Sequence, residues 1–155
     1  MRRADREITN PARIAQILER CSAASVAFSG EGPYVVPMSY GFEQRDGHFT
    51  LYFHCAREGE KLDRMRADPR AAFAAFTGNA VYGEGDAACA YSTSFDSVCG
   101  EGVLRELTGE DKRYGLGRIM AHYAPDRAFT FAEAALGKTC VLALDAAHIS
   151  GKHHD

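Results

Sequence analysis

No apolar run in this sequence is long enough to cross a bilayer, which takes about 20 consecutive apolar residues as a helix. The first ten residues, MRRADREITN, begin basic but hold no apolar stretch, so they do not read as a secretory signal. Their acidic residues also argue against a transit peptide. Nor is positive charge in excess. The formal net charge is −3, so there is no global basic field to gather nucleic acid. CxxC spacing is missing too. The five cysteines, Cys21, Cys55, Cys89, Cys99 and Cys140, exclude the common zinc and thioredoxin signatures. An odd cysteine count without a signal predicts reduced thiols in a cytoplasmic protein, most of them acting as small buried hydrophobes. Repeats, low-complexity segments and linkers are absent. With 155 residues, 46% apolar and 25% charged, the chain reads as one domain over 1–155 with a real core.

What is present is a series of short strands with helices set apart. Asn10 reads as a helix cap and Pro11 as a first helical position, and Ile14, Ile17, Leu18 and Cys21 fall on one face. The helical period then stops. ASVAFSG reads as a strand closed by a glycine turn, and GPYVVPMSYGF as a second. RDGHFTLYFHC reads as a third, entered through an Asp-Gly turn. GEKLDRMRADP predicts a short helix with Leu62 and Met65 inward and Pro69 past its end. RAAFAAFTG predicts a fourth strand, and residues 78–94, rich in small residues, predict a loop or irregular edge. FDSVCGEGVLREL predicts a long strand with a bend or bulge at Gly100 and Gly102. Thr108 or Gly109 opens a helix over EDKRYGLGRIMAHYA, weakened by Gly115 and Gly117. FAEAAL adds a helical turn, and KTCVLALDAAHIS a last strand. About six strands with peripheral helices predict a mainly β chain and a small antiparallel barrel. A doubly wound parallel sheet would alternate strand and helix throughout, and this chain does not.

Two stretches carry chemistry. At period two, Tyr34, Val36, Met38, Tyr40 and Phe42 share a bulky face, while Val35, Pro37, Ser39 and Gly41 share a smaller one. Pro37 removes a ladder donor, so the strand is an edge or irregular there. Small side chains beside unpaired backbone groups can take a flat heteroaromatic ring, and they also fit an ordinary half-exposed strand. The second stretch is YFHCAREGEKLDRM. Alternation sets Tyr52 and His54 opposite Leu51 and Phe53. A helix beginning near Gly59 or Glu60 frees its first N–H groups for an anion. Lys61 and Arg57 add positive charge, and His54 a further donor, while Glu58 and Glu60 oppose them. Read alone, these residues also fit a solvated charged turn. A metal at His54-Cys55 is disfavoured because neighbours on a strand point to opposite faces. His153-His154 lie beside the terminus, where tails are commonly loose. Cys55 lacks an evident base partner, and Ser97 lacks the GxSxG context of a hydrolase.

Taken in order, MRRADREITN, PYVVPMSYGF, LYFHCAREGEKLDRMRADPRAAF, DSVCGEG and the closing ISGK resemble the pyridoxamine 5'-phosphate oxidase-like flavin-binding split barrels. More narrowly, they resemble the Nim branch, named for nitroimidazole resistance. The resemblance covers nearly the whole chain. It implies a six-stranded Greek-key split β-barrel that forms a homodimer with two FMN molecules at the interface, each touched by both chains. It also implies that Pro37, Met38, Ser39 and Tyr40 line the isoalloxazine ring. Phe53, His54, Cys55, Gly59 and Lys61 would surround the ribityl chain and phosphate, with Arg57 adding charge, and Ser97 and Val98 would complete the phosphate end. The implied activity passes electrons from reduced flavin to a small acceptor such as a nitro-aromatic, with His54 as the candidate catalytic residue. Haem or deazaflavin in the same barrel, or flavin storage or sensing without turnover, are the other functions the resemblance admits. The chain departs from the family pattern at Glu60-Lys61, where two lysines are frequent, at Tyr91 for tryptophan, and at Phe95 for tyrosine. These changes bear on substrate more than on fold.

Overall fold

The computed structural model of the chain describes residues 4–154. Its elements are β1 (Glu7–Ile8), α1 (Pro11–Arg20), β2 (Ala24–Phe28), β3 (Val35–Met38), β4 (Tyr40–Arg45), β5 (His48–Ala56), α2 (Glu60–Ala67), β6 (Arg70–Tyr82), β7 (Ser92–Leu107), α3 (Gly109–Tyr123), α4 (Glu133–Lys138) and β8 (Thr139–His154). Every ladder is antiparallel, in the order β3-β2-β6-β7-β8-β5-β4, with β1 added to β8. The two ends of that path, β3 and β4, are separated in sequence only by Ser39. Met38 and Tyr40 are therefore at most about 7 Å apart, so the sheet must curl until its two edges come together. The six predicted strands are therefore present, because β3 and β4 are one strand broken at Ser39. The split barrel is that broken closure.

Local chemistry explains the joints. Asn10 Oδ1 accepts from Arg13 N–H at 3.1 Å and caps α1, with Pro11 at its first position. Asp46 and Gly47 both have positive φ, 51° and 85°, as a two-residue hairpin turn between β4 and β5 requires. The ladder between β6 and β7 continues to Tyr82↔Ser92, past a register shift between Thr77 and Ala80. The expected loop or irregular edge over 78–94 is therefore strand at 78–82 and 92–94 and non-strand only over 83–91. The segment Asn79–Tyr82 is strand because backbone pairing to β7 overrides its poor propensity. The bulge expected near Gly100 and Gly102 falls between Glu101 and Gly102.

The barrel interior holds Val26, Tyr40, Leu51, Phe53, Val98, Leu142 and Leu144, all nearly inaccessible to water. Helix α1 adds Ile14, Ile17 and Leu18 to this core, and α2 adds Leu62 and Met65. Each such side chain stabilises the fold by about 1.5–3 kcal/mol. Helix α3 lies outside, where Ile119 packs on Tyr52, Leu107, Val141 and Ala143. Gly115, which weakened the helix by propensity, is what lets α3 approach. A Cβ there would meet Leu107, Val141 and Tyr52 at 3.0–3.1 Å.

One buried carboxylate ties three elements together. Asp96 on β7 accepts from the Arg20 guanidinium of α1 and contacts His153 Nδ1 of β8 at 2.8 Å. His153 and His154 are thus the end of a strand, correcting the expectation of a loose tail. Burial alone would raise the Asp96 carboxyl, but the bonds from His153 and Arg20 outweigh it and hold it below the ordinary carboxylate range. Asp96→Ala is expected to cost about 1.5–3 kcal/mol in urea unfolding, because half of Arg20 remains in water and screens that arm of the network. The depressed folded value means the contribution is complete above the unfolded value, about 4, and is lost as pH falls below it. An Asp96→Ala chain as stable as the parent at pH 7 would remove this role.

Candidate functional site

The candidate site is built where β5 runs into α2. Gly59 precedes the helix with φ 119°, a conformation that disfavours any side chain. No side chain caps α2. Leu62 N–H and Asp63 N–H both bond to Gly59 O, at 2.9 and 3.2 Å. The N–H groups of Glu60 and Lys61 precede these bonds at the positive end of the helix. A Cβ on Gly59 would meet nothing within 4 Å, so space is open in front of this terminus.

Glu60 had been the charge most opposed to an anion here. Its carboxylate instead turns along the helix to Arg64, with Nη2 and Nε at 2.8 and 2.9 Å from Oε1. Arg64 also donates to Gly32 O and Glu31 O, at 3.1 and 3.0 Å, and lies over the Tyr34 ring at 4.7 Å. It braces the β2–β3 loop against α2 and neutralises Glu60 at once. Arg64 was overlooked in the sequence, although the i,i+4 spacing of Glu60 and Arg64 was its signal.

The β4–β5 ladder ends at Tyr40↔Phe53, and exposed Ser39 and exposed His54 each follow one residue beyond that last pair. Tyr40 N–H leaves the ladder and donates to Tyr123 Oη at 3.1 Å, while Tyr123 O–H donates to Ser22 O at 2.7 Å. Helix α3 therefore holds the strand at its break.

The twelve residues expected at the cofactor are distributed unevenly. Pro37, Ser39, His54, Arg57 and Gly59 are exposed, and Lys61, Cys55 and Ser97 are half-buried. Met38, Tyr40, Phe53 and Val98 are inside the barrel, so only their backbone can face a ligand. Tyr40 O–H is spent on Leu18 O at 2.6 Å. Cys55 points inward, opposite His54, against Cys140. Arg57 Nη1 donates to Gly137 O of α4 at 3.1 Å. Ser97 and Val98 are not brought to this site within one chain. Ser97 pairs with Lys152 and His54 with Val141, at opposite ends of β8.

A cavity of about 690 Å³ lies on the outer face of β2, β6, β7 and β8, lined by Ser25, Val35, Ala74, Cys99, Gly100 and Ser150 among others. None of the twelve lines it. The same outer face carries exposed Val35, Phe76 and Val103.

An antiparallel split barrel with an anion-ready helix start at one end and a broken edge strand beside it defines a recognisable class of fold. The chain belongs to the pyridoxamine 5'-phosphate oxidase family, whose model matches residues 10–153. Among solved structures it is similar to a proposed 5-nitroimidazole antibiotic resistance protein from Bacteroides thetaiotaomicron. The identity is 27% and the TM-score 0.82, over 95% of this chain and 86% of that one. The fold is shared with an FAD and haem binding protein from Mycobacterium smegmatis, at 20% identity and TM-score 0.83 over 97% and 74% of the two chains. It is shared also with the flavocytochrome Anf3 from Azotobacter vinelandii, at 18% identity and TM-score 0.80 over 100% and 72%. No curated protein matches the chain.

Proposed function

We propose that two copies of this chain bind FMN at their interface, and that the protein is an oxidoreductase acting on a small acceptor, a nitro-aromatic such as a nitroimidazole. The observation that carries this reading is the uncapped start of α2 with Gly59 and Lys61, set beside Ser39 and His54 at the strand break. A phosphate dianion fits there: two N–H groups at the positive helix end, the Lys61 ammonium, and open space over Gly59. The Arg64 bond to Glu60 removes the main opposing charge. The exposed backbone of Pro37 and Ser39 offers a narrow surface for a flat ring.

Bound FMN supplies the redox chemistry, carrying electrons from a reductant to the acceptor. The chain's own residues bind and orient. Lys61 and the α2 terminus fix the phosphate. His54 is the protic side chain at this end of β5, and a ring N–H there would donate to an oxygen of the cofactor or of the acceptor. Ser97 and Val98 meet the same cofactor only if a second chain supplies them. The apolar outer face of β2, β6 and β7 is consistent with such a partner. Light scattering at micromolar concentration is expected to give the mass of two chains, and the mass of one would refute the interface.

An absorption spectrum after FMN addition and gel filtration tests the cofactor. Retained oxidised-flavin bands are expected. A haem band in the purified protein, or no retained flavin, overturns the reading in favour of another ligand in the same barrel. Anaerobic mixing of the reduced holoprotein with a nitroimidazole then tests turnover. Return of the oxidised-flavin absorbance is expected, and an unchanged spectrum would leave a storage or sensing protein.

A further inference from the structure

Cys55 was expected at the cofactor, but its side chain points inward to a second thiol. Cys55 of β5 and Cys140 of β8 are direct register partners in an antiparallel ladder. Residues directly opposed in such a ladder have side chains on one face and Cα atoms about 4.5 or 5.5 Å apart. Both separations lie inside the disulfide range of about 4.4–6.8 Å. Both cysteines are free thiols, and each shifts the other's titration, Cys55 downward and Cys140 upward. Their exposure is unequal. Cys140 is 2% exposed, at the end of the barrel core, whereas Cys55 is half-buried.

We propose that Cys55 is a peroxide-reactive thiol and that Cys140 is its resolving partner, the two closing a cross-strand disulfide between β5 and β8. In the first step the Cys55 thiolate attacks a hydroperoxide oxygen. An S–O bond forms, the O–O bond breaks, and hydroxide leaves and takes a proton as water. Cys55 becomes a sulfenic acid, oxidised by two electrons, and the peroxide is reduced. In the second step Cys140 attacks the Cys55 sulfur. The S–S bond forms, the S–O bond breaks, and the Cys140 proton leaves with the hydroxyl as a second water. The ladder already sets the two Cα atoms at a spacing that a disulfide spans.

The surroundings assign the roles. The Cys140 thiol is the largest influence drawing the Cys55 thiol down. Burial opposes it, Lys61 and Arg66 of α2 assist, Glu106 of β7 opposes, and the balance holds it below the ordinary thiol range. Cys140 is pushed up by the Cys55 thiol and by burial. Cys21, buried without a thiol partner, is raised to about 11 by desolvation and serves as an internal control. Cys99 is exposed, but its register partners are Ala74 and Ser150, so no cross-strand thiol faces it.

The test is peptide mapping of the purified protein, without reduction, after one equivalent of hydrogen peroxide. A Cys55–Cys140 linked peptide and the loss of two titratable thiols are expected, with Cys21 still reduced. The rate should rise with pH through a midpoint below that of an ordinary cysteine thiol. In Cys140→Ala, dimedone should label Cys55, and in Cys55→Ser, Cys140 should stay reduced. Wild-type protein in which Cys55 and Cys140 both remain alkylatable overturns the proposal, whether or not the variants fold. So does oxidation confined to Cys89 and Cys99. The readout is mass, so it stands or fails independently of flavin binding.

Discussion

Lys61→Ala is expected to weaken FMN binding by about 1.5–3 kcal/mol, roughly 10- to 150-fold in dissociation constant, measured by flavin fluorescence titration. The size follows from losing one charge-assisted bond to a phosphate dianion while the α2 N–H groups remain. Lys61 is the second residue of α2 and half-buried, so its ammonium is less screened than a fully exposed one. Lys61→Arg keeps the charge and should retain most of the affinity, which separates charge from lost packing. The alanine change should also raise the Cys55 thiol, because Lys61 is one of the cations that lower it. A dissociation constant unchanged in Lys61→Ala would move the phosphate away from α2, whatever became of the thiol.

Gly41→Ala is expected to destabilise the protein by about 3 kcal/mol, with a fall in melting temperature of roughly 6–12 °C. The sign is the informative part. In a strand with room, alanine gains about 0.5–1 kcal/mol over glycine, since glycine loses more freedom on folding. At Gly41 there is no room. A Cβ would meet Arg118 O at 2.2 Å and Ile119 N at 2.4 Å, which are backbone atoms of α3 and cannot swing aside. Helix α3 would have to lift. That would strain the Arg118 bonds to Phe42 O, at 3.1 and 2.5 Å, and the Tyr40 N–H bond to Tyr123. The second of these holds the broken strand beside Ser39, so ligand affinity should fall along with stability. A Gly41→Ala protein that melts at or above the parent temperature would mean that α3 does not sit this close.

Much of the architecture could be read from local pattern. Alternating apolar residues set the strands, Asn10-Pro11 and Gly59 set two helix starts, and Asp46-Gly47 set a hairpin. These are short-range effects, determined by side chains within a few positions of one another. Residues 78–82 misled because glycine and alanine suit a loop locally, while their strand state depends on β7, a partner later in the chain. Gly115 weakened a helix reading that was nonetheless right, since a poor helix former is favoured where the barrel needs a close approach.

The candidate site divides along the same line. The sequence by itself determined the strand-to-helix turn at Gly59, the broken edge strand and the opposed directions of His54 and Cys55, because local pattern alone carries those. Only the tertiary structure decided that Glu60 is neutralised by Arg64, that Asp96 joins Arg20 to His153, and that Ser97 lies at the far end of β8 from His54. Only the register of β5 against β8 set Cys55 against Cys140 across 85 positions of sequence. The physical reason is that pairing across a closed sheet depends on which backbone groups face each other, and no spacing along the chain encodes that.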